Sequence, residues 1–277
     1  MRNLKLEQRP LHPDSLKSLL FRALAALLFV SAVSAPILAQ VDPREKAEQA
    51  LKRAIEAMGG QSYKNVEVVY RHGNYFRFDR HGRRSGLVKY WEWLHYQPLK
   101  WFFQIGKGKR QQVSVYNLEI NKGWKKEGKG YIEDVEQEDI DSFAKQARHD
   151  PDVVIRLRSG LESVQLFYYG PDEVSGGGNF EAVEFLDETN DSVVIYFDLD
   201  THLPARLEYK QTDRLGNRRQ FSEEYFNWHE FKGVRHPLRI DAYREGKLLE
   251  QRHMTEVEIN PVVPPGQFLE PPIKKKK

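Results

Sequence analysis

The residues able to do chemistry are present, but their spacing does not assemble a known site. His229-Glu230 opens like a zinc-binding helix motif, whose second histidine should follow four residues after the first on the same helix face. Here the next histidine is His236, in a strand-like stretch before Pro237. The chain has no cysteine, which excludes disulfides, thiolate zinc sites, iron–sulfur clusters, a cysteine nucleophile and a lipid anchor on an N-terminal cysteine. Ser175-Gly176-Gly177-Gly178 has neither the spacing nor the Lys-Ser/Thr of a phosphate loop and reads as a flexible hairpin. Asp187, Glu188, Asp191, Asp198 and Asp200 gather at turns, where aspartate caps its own backbone. No G-x-S-x-G nucleophile elbow occurs. The expectation is a protein that is not an enzyme, with no metal and no cofactor.

The charge balance narrows the partners. Residues 1–39 hold five basic and two acidic residues, which accounts for the whole formal charge of +3, so residues 40–277 are neutral. A nucleic-acid binder needs a basic footprint, so none is expected. What stands out is the aromatic content: 12% of the chain, with 5 Trp, 13 Tyr and 15 Phe. Trp91, Trp93, Trp101 and Phe103 fall close together on alternating strands. Such side chains either fill a packed interior or line a cavity for an apolar ligand.

The elements that must position them follow from periodicity. Basic residues, the apolar run Ala23–Val30 and the small-residue region Ser31–Ala39 form the three zones of a secretory signal peptide. Cleavage is expected near Ala39, which leaves no membrane span and places the remainder in the periplasm. Asp42-Pro43-Arg44-Glu45 is a helix start, with Asp42 as N-cap and Pro43 at the first helical position. Ala47, Leu51, Ala54, Ile55 and Met58 then recur at helical spacing until Gly59-Gly60. Thereafter the period is two. Leu87, Trp91 and Trp93 share one strand face; Val88, Tyr90 and Leu94 share the other; Trp101, Phe103 and Ile105 alternate with Lys100, Phe102 and Gln104. Turn signals at His81-Gly82, Gly106-Lys107-Gly108, Gly128-Lys129-Gly130, Leu215-Gly216-Asn217 and Glu245-Gly246-Lys247 separate the runs. Ile140, Phe143, Ala144 and Ala147 form a second helix that Pro151 breaks, and Val153 to Leu157 form a third. The fold class is mainly β (α+β): about ten or eleven antiparallel strands in one domain. Residues 1–39 are the signal peptide, 40–272 the domain and 273–277 a basic tail.

Several local patterns, in order, resemble the periplasmic lipoprotein-carrier (LolA-like) superfamily, also known as outer-membrane lipoprotein-sorting proteins. They are the helix ending Ala57-Met58-Gly59-Gly60, the strand Gln97-Pro98-Leu99-Lys100-Trp101-Phe102 and the segment Asn117 to Trp124. The hairpin Tyr196 to Arg206, with its Asp198-x-x-Thr201-x-Leu203-Pro204 core, follows, then Gly233-Val234-Arg235-His236-Pro237 and the closing Ile259 to Pro271. The resemblance implies a single incomplete, strongly curved antiparallel β-barrel whose open side is closed by two or three helices. Its apolar cavity would bind lipid or lipoprotein acyl chains as a carrier or sensor. The cavity wall then falls to Val66, Val68, Trp91, Trp93, Trp101, Phe103, Ile105, Val113, Val115, Ile195, Phe197 and Leu207, and the lid to Leu51, Ile55 and Met58 of the first helix. The chain departs from dedicated carriers at Gln97, where they have an arginine that helps to hold the closed state. A structural role in the cell envelope, docking a protein partner through the same fold, is the alternative; a secreted hydrolase is the third.

Overall fold

The structure, a computed structural model, describes residues 42–174, 179–212 and 216–269. The signal-like segment, the Ser175–Gly178 run and the basic tail lie outside these residues. Helix α1 (Pro43–Met58) is followed by the single turn α2 (Gln61–Lys64). Six strands come next: β1 (Val68–Arg77), β2 (Val88–Tyr96), β3 (Leu99–Ile105), β4 (Gln112–Asn117), β5 (Lys122–Glu127) and β6 (Ile132–Asp134). Helix α3 (Gln137–Ala147) and α4 (Pro151–Val153), which runs on as a π turn over 154–158, interrupt them. Seven more strands complete the domain: β7 (Gln165–Tyr169), β8 (Phe180–Leu186), β9 (Ser192–Asp198), β10 (Pro204–Thr212), β11 (Arg218–Phe231), β12 (Val234–Arg244) and β13 (Lys247–Ile259).

All pairings are antiparallel, and the sheet order is β6-β5-β4-β3-β2-β1-β13-β12-β11-β10-β9-β8-β7. Two meanders thus join at the β1–β13 seam. The chain enters mid-sheet, runs out to β6, crosses to the β7 edge and returns. The crossover is the segment carrying α3 and α4, and it must pass over one face of the sheet. The described residues form 13 strands, more than the ten or eleven expected; one of the excess is β6, whose three residues leave no period to read. The sheet is open, neither closed nor strongly curled as the expected half-barrel would be; among the described residues its edges β6 and β7 have no further strand partner.

Turn chemistry sets the hairpins. Lys232 and Gly233, and again Glu245 and Gly246, have positive φ and form two-residue loops at the β11–β12 and β12–β13 corners. Asp198 accepts hydrogen bonds from the Asp200 and Thr201 backbone N–H groups and the Thr201 hydroxyl, which closes the β9–β10 corner.

The inner face is the one α1 covers. Its core includes Val69, Tyr90, Leu94, Phe185, Ile195 and Leu207 together with Ala47, Ala50, Leu51 and Ala54 of α1. Arg53 of α1 grips the buried Glu181 of β8 with both carboxylate oxygens at 2.8 Å. On β2 the inward residues are Tyr90, Glu92, Leu94 and Tyr96, so Trp91 and Trp93 lie on the outer face. There Trp93 packs on Tyr70 and Trp91 stacks on His72, with Lys107 over its ring.

Candidate functional site

A cavity of about 490 Å³ lies between the inner face and the crossover. Its walls come from both meanders, and its cover from Ser142, Phe143, Gln146 and Ala147 of α3 with the loop leading into α4. Strand β3 supplies Trp101 and Phe103, whose rings stack at 5.1 Å. Phe143 lies at 5.5 Å from Trp101 and 4.3 Å from Tyr116, so the helix adds its ring to a continuous aromatic wall. Phe143 sits three residues after Ile140, the one buried residue of α3, and so shares its helix face.

Charged residues adjoin this aromatic wall. Glu92 is 3% exposed, yet three donors face it: Arg71 at 3.2 Å, the Trp101 indole N–H at 2.8 Å, and Arg252 at 3.7 Å. Burial alone would raise the Glu92 carboxyl, but Arg71 and Arg252 outweigh it and hold it below the usual carboxylate range. Arg252 also approaches Glu223 at 3.4 Å, and Tyr75 donates to Glu250 at 2.5 Å. Arg71 donates through Nε to His236 Nε2 at 3.0 Å, while His236 Nδ1 lies 2.7 Å from the Pro237 carbonyl. Burial first, then the Arg71 charge, depress the His236 ring to about 3, so it is neutral with its proton on Nδ1.

At the start of α4, Asp150 accepts from the backbone N–H groups of Asp152 and Val153, as an N-cap does. Burial and the neighbouring Asp152 raise its carboxyl to about 7. Asp152 accepts from the Tyr63 and Tyr96 hydroxyls at 2.7 and 2.6 Å, and Arg156 lies over the Tyr96 ring at 4.0 Å. His149 also lines the cavity; its Nε2 faces Asp191 at 2.8 Å and its Nδ1 has no hydrogen-bond partner among the described residues.

Of the residues expected at the site, the structure brings Trp101, Phe103 and Met58 to the cavity. Ile105 shares their face and packs on the main core; Val66, Ile195, Phe197 and Leu207 are inside that core, in its filled part. Trp91 and Trp93 are on the other face. So are Val113 and Val115, which with Trp124 and Phe102 form a small separate cluster, while Ser114 and Tyr116 of the same strand turn toward the cavity. Val68 alternates with the inward Val69 and is buried outside the main core. Leu51 and Ile55 pack α1 onto the core and do not reach the cavity. Where the expectation was an apolar lining, the cavity carries both aromatic and charged side chains. Sequence reading missed Arg71, Glu92, Glu223, Glu250 and Arg252; Glu92 had a signal, as a lone acid between the tryptophans of an apolar-aromatic strand, whereas Glu223, Glu250 and Arg252 sit in strands rich in charge and had none. His229 is exposed, and among the described residues no group of three or more His, Asp or Glu is placed to hold a metal.

No family model and no curated protein matches the sequence. Solved structures do. A DUF1329 family protein from Desulfovibrio piger aligns with a TM-score of 0.51 at 11% identity, over 82% of this chain and 97% of that one. A LolA superfamily protein from Nitrosomonas europaea aligns at 0.42 and 11% identity, over 81% and 97%. A structure named as a putative outer membrane lipoprotein-sorting protein domain from Vibrio parahaemolyticus aligns at 0.43 and 10% identity, over 80% and 97%. At such identity the likeness is one of fold alone, and the alignment above a TM-score of 0.5 is to the DUF1329 family protein.

Proposed function

We propose that this chain is an exported, non-enzymatic carrier or sensor that binds lipid or lipoprotein acyl chains in the cavity beneath α3. The observation that carries this reading is the cavity itself, about 490 Å³ with a stacked aromatic wall. A filled interior would favour a protein that only docks partners. An acyl chain gains about 0.8 kcal/mol for each methylene it buries, and the Trp101, Phe103 and Phe143 rings offer it that surface. The charged wall around Arg252 then takes the polar end of the ligand. Residues 1–39 act as a signal peptide removed near Ala39, so the carrier works in the periplasm. Helix α3 is the lid: Ile140 is its one buried residue, whereas α1 is bound to the core along a whole face.

One observation favours the hydrolase alternative: a carboxyl raised to about 7, Asp150, in a cleft. Its hydrogen bonds go to the backbone of α4, however, and among the described residues no serine or threonine hydroxyl bonds His149 or His236. These groups support the fold of the lid segment.

Native mass spectrometry of the purified exported form should find co-purified lipid, with a chain that begins near Gln40. A fluorescent fatty acid should bind, and Trp101→Ala should weaken it by about tenfold or more. Trp93→Ala, on the outer face, should bind as wild type does. The carrier reading fails if wild type takes up no such probe, or if the two variants behave alike.

A further inference from the structure

The neutrality of residues 40–277 conceals a segregation of charge. Three connections of the first meander lie at one end of the sheet: β1–β2 (78–87), β3–β4 (106–111) and β5–β6 (128–131). The register places them there through the pairs Tyr75↔Val88, Tyr90↔Ile105, Ile105↔Gln112 and Gln112↔Glu127. The first carries Arg80, Arg83 and Arg84, the second Lys107, Lys109 and Arg110, the third Lys129, all exposed. Asp79 is the sole acidic residue in these connections, which leaves a net charge of +6. Asp79 is taken by Arg83 at 2.7 Å. Arg84 lies over the Phe76 ring and Lys107 over the Trp91 ring, contacts that orient a cation without neutralising it. Among the described residues no ion pair engages Lys109, Arg110 or Lys129. The β8–β9 connection, at the same end of the other meander, carries Asp187, Glu188 and Asp191 instead.

The same tips expose apolar side chains: Tyr131 is 78% and Leu87 58% exposed. A phosphate-bearing polymer or an acidic protein would use the cations alone. A bilayer interface takes both at once, with cations among anionic head groups and tyrosine and leucine at the head-group boundary. We infer that this end of the sheet is a docking surface for an anionic phospholipid membrane. The cavity lining reaches Arg77 and Phe103, within three residues of the first two connections, so a docked membrane would lie beside it. The inference needs no ligand in the cavity.

The test is flotation of the purified exported protein with vesicles of phosphatidylcholine alone and of phosphatidylcholine mixed with phosphatidylglycerol, at low and high salt. Wild type should float with the mixed vesicles only, and salt should weaken the association. The double variant Lys109→Glu/Arg110→Glu should bind them roughly tenfold or more weakly while keeping the wild-type circular dichroism spectrum. Leu87→Ser/Tyr131→Ser should lose the fraction that survives high salt. The inference is overturned if wild type does not float, if it floats equally with both vesicles, or if the charge-reversal variant matches it. Retention of duplex DNA or polyglutamate by wild type that ignores the vesicles would overturn it as well. Because the readout is protein on vesicles, it fails or succeeds independently of fatty-acid uptake.

Discussion

Asp150 and His236, both on the cavity wall, respond to pH in opposite senses. His236 titrates at about 3 in the folded protein, through burial and Arg71, against about 6.5 in an unfolded chain. Between those values the unfolded chain takes a proton that the folded one refuses, so this group costs stability as pH falls below about 6.5. Asp150 is raised to about 7, so the folded protein holds a proton that an unfolded aspartate releases near 3.9. Its contribution is present at acid pH and is lost as pH rises through about 7. Asn keeps the capping oxygen without the charge. Asp150→Asn should therefore match wild type at about pH 4 and exceed it by more than about 1 kcal/mol at about pH 8. Urea unfolding at the two pH values measures this; an equal difference at both would show that Asp150 is ionised in the folded state.

At the scale of elements, α1 ends where its own sequence stops it, but its position depends on a contact distant in the chain. Gly59 has φ 124°, and a Cβ there would stand 2.1 Å from the Gly233 carbonyl oxygen in the β11–β12 turn. Gly82 also has positive φ, at 75°, but nothing lies within 4 Å of its Cβ position. Gly82→Ala should cost about 1 kcal/mol, the strain of the backbone alone. Gly59→Ala adds a backbone clash and should cost at least about 2 kcal/mol more, read from the urea midpoints. Helix α3 differs in kind. It is fixed at Ile140, by the Phe143 stack and by the Lys125–Asp139 ion pair at 2.9 Å. An element held by so few apolar groups opens more readily than α1, which suits a cover over a cavity.

For the whole molecule, the continuity of the sheet sets how it should open. The seam of β1 with β13 joins two meanders and is the longest-range pairing in the chain, with Val69 opposite Ile259. Both strands are buried on the inner face, whereas β6 is a three-residue edge with two exposed residues. Amide hydrogen exchange should show Ile132 to Asp134 exchanging first and the β1, β13 and β12 amides last. Early exchange at the seam would mean that the meanders behave as separate units.

The sequence by itself determined what local physics decides. Pro43 and Gly59-Gly60 bounded α1, Glu245-Gly246 marked the β12–β13 turn, and the period of two marked the strands, because each depends on residues a few positions apart. Tertiary structure alone decided which face of β2 turns inward. Trp91 and Trp93 on one side and Tyr90 and Leu94 on the other are equally apolar, so alternation gives two sets and does not rank them. Glu92 belongs inside only because Arg71, Trp101 and Arg252 arrive from other strands to pair it, and an unpaired buried carboxylate would have forced the opposite register. The passage of α3 over the sheet, and hence the cavity, follows likewise from the strand order. Pairing between the chain's first and last strands fixes that order, and no local pattern records it.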